Sequence, residues 1–137
     1  MKLQYEVDGG EFTSVGGASS KFKKTLRQLG LPPEIIRKVA IAMYEAEINM
    51  VIHANGGVID IEITPEKIYI VLEDHGPGID DVDLAMQEGY STASREAREM
   101  GFGAGMGLPN IKNNSDHLKV TSVLGVGTKV EIEVKLV

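Results

Sequence analysis

VIDIEITPEKIYIVLED, Val58–Asp74, is the stretch whose reading decides the architecture. Apolar and polar residues alternate in its two halves, the period of half-buried strands, and TPEK between them is short enough only for a tight connection. Two strands joined in this way form an antiparallel hairpin. Working outward, KLQYEV alternates similarly and DGGEF follows it as a turn, while HLKVTSVLGVGTKVEIEVKLV supplies two more strands around GVG. Helical patterns lie between. Lys21 to Gly30 places Phe22, Leu26 and Leu29 at helical spacing with Gly30 past the end, and a second helix starts at Pro33 and runs to about Ala54, where NGG stops it. DDVDLAMQEGY is a short helix at most, and Ile111 to Asp116 continues a helix out of a glycine-rich run. Strands grouped late, with helices packing on one side, predict an α+β fold: a two-layer α/β sandwich on a mixed, largely antiparallel sheet.

Composition narrows the function classes. A chain of 137 residues fits one domain spanning residues 1–137, long enough to bury a core without staples. The absence of cysteine excludes disulfides and thiolate metal sites. A net charge of -6 argues against a nucleic-acid or anionic-membrane surface. With neither a membrane-length apolar run nor a signal-peptide core in MKLQYEVDGG, a soluble cytoplasmic protein is expected.

Chemistry concentrates in three places. On a helical wheel of the segment from Pro33, Ile36, Val39, Met43, Met50 and Ala54 share the face that packs on the sheet. Glu45, Asn49 and His53 recur at i, i+4 and i+8 along the other side, beside Ile41, Ile48 and Ile52. Two readings are open: a solvated polar stripe, or a general base and a metal ligand set among apolar neighbours and facing a cleft. In VLEDHGPGI a strand ends in Asp74, Gly76 and Gly78. These residues form either a plain turn, or a carboxylate that accepts from a ligand amino group beside glycines that let a flat ring approach. GFGAGMGLPNIKNN, Gly101–Asn114, sets four glycines on alternate positions ahead of a helix, as expected where the main chain approaches phosphate or moves.

Taken in order, EAEIN…H (Glu45, Asn49, His53), DHGPGI (Asp74, Gly76, Gly78), GFGAGMG (Gly101, Gly103, Gly105, Gly107) and GVGT (Gly127, Thr128) resemble the N, G1, G2 and final Gly-Thr boxes of the GHKL ATPase superfamily. That superfamily also holds gyrase, MutL and the histidine kinases. Over roughly Glu34 to Val134 the chain is most similar to its smallest branch, the anti-sigma-factor serine/threonine kinases, and within that branch to the switch kinases of the stressosome.

The resemblance implies the Bergerat ATP-binding fold, ATP and Mg²⁺ as cofactors, and a role for each matching residue. Asn49 would hold Mg²⁺ and Glu45 would be the general base. Asp74 would hold the adenine amino group with support from the Thr128 hydroxyl, and Gly76 and Gly78 would admit the ring. Gly101, Gly103, Gly105, Gly107 and Leu108 would enclose the phosphates as a lid. His53 is either a structural histidine or part of the nucleotide site. REAREM, Arg95–Met100, looks like an insert relative to the stressosome kinases, and its arginines either meet a phosphate or an acidic partner or form a solvated turn balanced by Glu96 and Glu99.

Two functions follow. The chain is a kinase that phosphorylates a serine or threonine of a small STAS-type antagonist, or it is a nucleotide-gated switch that binds a sigma-factor-like regulator with little turnover. The presence of Glu45 favours the kinase. Relatives of this kind often pair as homodimers.

Overall fold

The computed structural model describes residues 1–8, 16–52, 56–76 and 107–136. Five strands, β1 (Lys2–Asp8), β2 (Gly56–Ile63), β3 (Lys67–Asp74), β4 (His117–Val123) and β5 (Gly127–Lys135), form one sheet. Three helices, α1 (Gly17–Gln28), α2 (Pro33–Ile52) and α3 (Gly107–Asn113), lie among them in sequence. The strand order is β1-β2-β3-β5-β4, and all four pairings are antiparallel, so the described sheet is simpler than the mixed one expected.

The hairpin read from VIDIEITPEKIYIVLED is present, with Ile61 opposite Ile70 and Gly57 opposite Asp74. Thr64 closes its turn, its hydroxyl accepting from the Glu66 and Lys67 amides. The alternation sorts residues as the period demands. Ile59, Ile61, Ile68, Ile70, Leu72, Val130, Ile132 and Val134 are buried under the helices, and Asp60, Glu62 and Glu73 stand on the open face. From α2, Ile36, Val39, Met43 and Met50 enter this core, as the helical wheel indicates. Ile48, expected beside the polar stripe, is buried too, since α1 and α3 flank α2 and leave it little free surface.

Two helix starts differ from the sequence reading. α1 begins at Gly17, four residues before Lys21, because its cap comes from elsewhere in the chain. Gly16 at the N-cap offers no side chain. The buried carboxylate of Glu47 on α2 takes that role: Oε2 accepts from the amides of Gly16 (3.0 Å) and Ala18 (3.3 Å), and Oε1 from the Ser19 amide (3.0 Å) and hydroxyl (2.8 Å). These are the donors that a helix start leaves unpaired, and a negative charge there also suits the helix dipole. α3 runs from Gly107 to Asn113 rather than from Ile111 to Asp116. Pro109 falls in its first turn, where the missing N–H is not needed, and Leu108 and Ile111 are both buried in the core. Gly30, with φ of 74°, ends α1 as read from the sequence. The expected turn DGGEF and the short helix in DDVDLAMQEGY lie largely or wholly outside the described residues, as do His53, Ala54, Gly78, Gly101, Gly103, Gly105 and the Arg95–Met100 insert.

Replacing Glu47 tests this arrangement. Glu47→Ala leaves several buried amides without an acceptor and is expected to lower unfolding free energy by roughly 2–4 kcal/mol, read by urea denaturation. Glu47→Gln, which keeps one acceptor oxygen, should lose less. A change under about 0.5 kcal/mol in Glu47→Ala would mean that the cap contributes little.

Candidate functional site

Asp74 ends β3, and its carboxylate is held from two directions. Oδ1 accepts the Gly76 amide at 2.9 Å, closing an Asx-type turn, and the Thr128 amide of β5 at 3.1 Å. The Thr128 hydroxyl pairs with that of Ser122 on β4 at 3.0 Å. Both bonds to Asp74 fall on Oδ1, and no described residue donates to Oδ2.

The strands on either side press close to this end of β3. A Cβ on Gly127 would sit 2.1 Å from the Asp74 carbonyl oxygen, and the φ of 151° there already disfavours any other residue. On the opposite side, a Cβ on Gly57 would lie 2.2 Å from the Glu73 carbonyl oxygen and 2.7 Å from Cε of Met50. Met50 therefore brings the C-terminal half of α2 against β2 opposite Asp74, and Asn49 is its neighbour on that helix.

Glu45 and Asn49 lie one turn apart on α2, both half-buried. Burial raises the Glu45 carboxyl above the ordinary range, and a hydrogen bond from Asn110 of α3 partly offsets this. That bond runs from Asn110 Nδ2 to Glu45 Oε1 at 3.4 Å. Among the described residues, the Asn49 side chain has no hydrogen-bond partner. α3, entered directly from the glycine-rich run, packs on α2, and its Leu108 points into the core.

Of the residues singled out from the sequence, Asp74, Gly76 and Thr128 therefore form one hydrogen-bonded group, and Glu45 and Asn49 lie one turn apart on α2. Gly107 opens α3 and Leu108 packs inward. Sequence reasoning missed Glu47, Asn110, Ser122 and Gly57. A carboxylate two residues from Glu45, on a helix apolar on most sides, was a legible signal for Glu47; Asn110 carried none short of the packing of α3 on α2.

Among the described residues no cluster of metal-ligating side chains is present, and a single amide oxygen such as that of Asn49 is a donor type that a hard cation such as Mg²⁺ accepts, since it takes few protein ligands and keeps its waters. No described helix is long and apolar enough to cross a membrane.

An antiparallel sheet covered by helices on one face, with an aspartate pinned at a strand end beside a glutamate-and-asparagine helix, is the architecture of a GHKL-type ATP-binding domain. The chain belongs to the histidine kinase-like ATPase domain family, whose model matches residues 11–134. It is 30% identical over 113 residues to the serine/threonine-protein kinase RsbT of Bacillus subtilis, covering 80% of this chain and 79% of that one. It is 38% identical over 110 residues to the anti-sigma F factor of Caldanaerobacter subterraneus, covering 77% and 73%. Two solved structures share the fold. The RsbU and RsbW domains of a Mycobacterium tuberculosis protein superpose with a TM-score of 0.68 at 14% identity, over 99% of this chain and 32% of that one. The SiaB-SiaC complex of Pseudomonas aeruginosa gives 0.61 at 13% identity, over 96% and 88%.

The raised carboxyl of Glu45 carries a stability cost with a definite sign. The folded chain holds this proton to higher pH than the unfolded chain, whose glutamate sits near 4.5, so stability from this group is greatest below that value and is lost as pH rises through the folded one. Glu45→Gln is therefore expected to melt at a higher temperature than the parent at about pH 8, with the gain shrinking as pH falls toward 4.5. Calorimetry at several pH values reads this, and a pH-independent difference would contradict it.

Proposed function

We propose that the chain is an ATP-dependent serine/threonine protein kinase that phosphorylates a small regulatory partner of the STAS type. The observation that carries this reading is the half-buried Glu45, its carboxyl raised by burial, one helical turn from the half-buried Asn49 on α2, with Asp74 pinned at the end of β3. Asp74, fixed through Oδ1, presents Oδ2 to the adenine amino group. Gly57 and Gly127 let the neighbouring strands approach that strand end closely, and the Thr128 hydroxyl lies at the same end. Asn49 would hold Mg²⁺, which when bound offsets the charge of the phosphates. The glycine-rich run ahead of α3 would enclose those phosphates.

In the transfer step, the partner's hydroxyl oxygen attacks the γ-phosphorus as the bond to the β-phosphate oxygen breaks and ADP leaves. The hydroxyl proton passes to Glu45, whose raised affinity for a proton suits a base working near neutral pH. Similarity to a protein kinase supports transfer. Similarity to an anti-sigma factor supports a second reading, in which the nucleotide gates the binding of a sigma-factor-like regulator and turnover is slow.

Labelled ATP, Mg²⁺ and candidate STAS-type partners separate the two. Glu45→Gln is expected to bind ATP nearly as the parent does while transfer falls about 10²–10⁴-fold. Asn49→Ala should lose both transfer and Mg²⁺-dependent affinity. If the parent binds ATP, labels no partner and is unaffected by Glu45→Gln, the gated-binding reading replaces the kinase.

Asp74→Asn should weaken ATP binding by roughly 1.5–3 kcal/mol, the loss of a charge-assisted acceptor, measured by titration calorimetry. Unchanged affinity would remove Asp74 from the adenine site.

A further inference from the structure

Among the described residues, Asn110 is the hydrogen-bond partner of Glu45. A carboxylate can only accept, so the amide must present its Nδ2–H to Oε1. Asn110 is itself well fixed: its carbonyl oxygen accepts from the Asn114 amide at 3.2 Å and from Asn114 Nδ2 at 2.9 Å, which ties off the end of α3. On α3, Leu108 and Ile111 are buried in the shared core, so the helix is anchored on both sides of Asn110. The residue stands three positions after Gly107, on the helix into which the glycine-rich run leads.

We propose that Asn110 is a positioning residue for the base, its amide on α3 aiming the Glu45 carboxylate on α2 so that the base is set only when α3 is seated. The proposal rests on the reading of Glu45 as a base. It adds a link between that base and the segment next to the phosphates: displacement of α3 would release one carboxylate oxygen. A donor on a carboxylate also favours its charged form and works against burial, so Asn110 keeps Glu45 available to take a proton.

Among the described residues, no charged side chain provides this service. α2 packs on α1, on α3 and on the inner sheet face, which is lined by Ile59, Ile61, Ile70 and Leu72. α1 carries Lys21, Lys23, Lys24 and Arg27, and α3 carries Lys112. On α2 itself Lys38 pairs with Asp116 at 3.5 Å, and Glu47 is occupied at the start of α1. Among the described residues, the influences on Glu45 are burial, which dominates, and Asn110.

The test uses the full chain with Asn110→Leu, which removes the donor at similar volume, and Asn110→Asp, which replaces it with a second acceptor. The titration of Glu45 is followed by carboxyl-carbon NMR, with its signal assigned by its disappearance in Glu45→Gln. The pH profile of phosphoryl transfer is measured alongside, and thermal melting confirms that each variant folds. Both variants should titrate Glu45 at higher pH than the parent, the aspartate more so, and the acid limb of transfer should move with it. The ratio of alkaline to acid rates should then rise about three- to tenfold.

An unmoved Glu45 titration in both folded variants would overturn the proposal. So would a loss of transfer equal at every pH, which is the mark of a merely structural role. Should the parent transfer no phosphoryl at all, the kinase reading fails on that result, and the titration still decides the role of Asn110 by itself.

Discussion

A carboxylate buried where no water can reach it must find donors, and Glu47 finds them in the first turn of another helix. Its two oxygens accept from Gly16, Ala18 and Ser19, and this fixes the rotation of α2 about its own axis. Residues two apart on a helix point in nearly opposite directions, at about 100° per residue. With Glu47 turned toward α1, Glu45 and Asn49 must face the other way, and Glu45 meets Asn110 of α3 there. The two glutamates of EAEIN are alike in chemistry and opposite in surroundings: one is buried and holds the scaffold, and the other is half-buried against Asn110.

The same tension between stability and chemistry recurs through the site. Glu45 would be more comfortable in water, and the fold tolerates its partial burial because Asn110 supplies a donor. Gly57 and Gly127 forgo side chains so that neighbouring strands can close on Asp74, which in turn is held by backbone amides rather than by flexible groups. Each polar group of the site is thus oriented by something rigid: a helix, a strand end, or a helix packed on a helix. Such preorganisation is what phosphoryl transfer asks of a protein, since positioning and electrostatics supply most of its catalysis.

Much of this was legible in the sequence, because the strands carry a clean period of two and α2 a strong helical one. The hairpin, the helix starting at Pro33 and the placement of Asp74 at a strand end all follow from local pattern. The start of α1 did not, since its cap comes from Glu47, far along the chain, and nothing in GGASSKF reports it. α3 began earlier than expected because glycine and proline read locally as breakers, whereas the core accepted Leu108 and Ile111 on one short helix. The contact from the Thr128 backbone amide to Asp74 was likewise hidden, because it depends on the register of β5 against β3. Cross-element contacts of this kind have no signature in a single sequence.

The central claim is that Asp74, Asn49 and Glu45 serve one bound nucleotide. The most direct measurement is a crystal structure of the chain with Mg²⁺ and a non-hydrolysable ATP analogue. The account predicts the adenine amino group on Asp74, the metal about 2.0–2.1 Å from the Asn49 amide oxygen, and the Glu45 carboxylate open beside the γ-phosphate. A nucleotide seated elsewhere, or a metal held without Asn49, would contradict it.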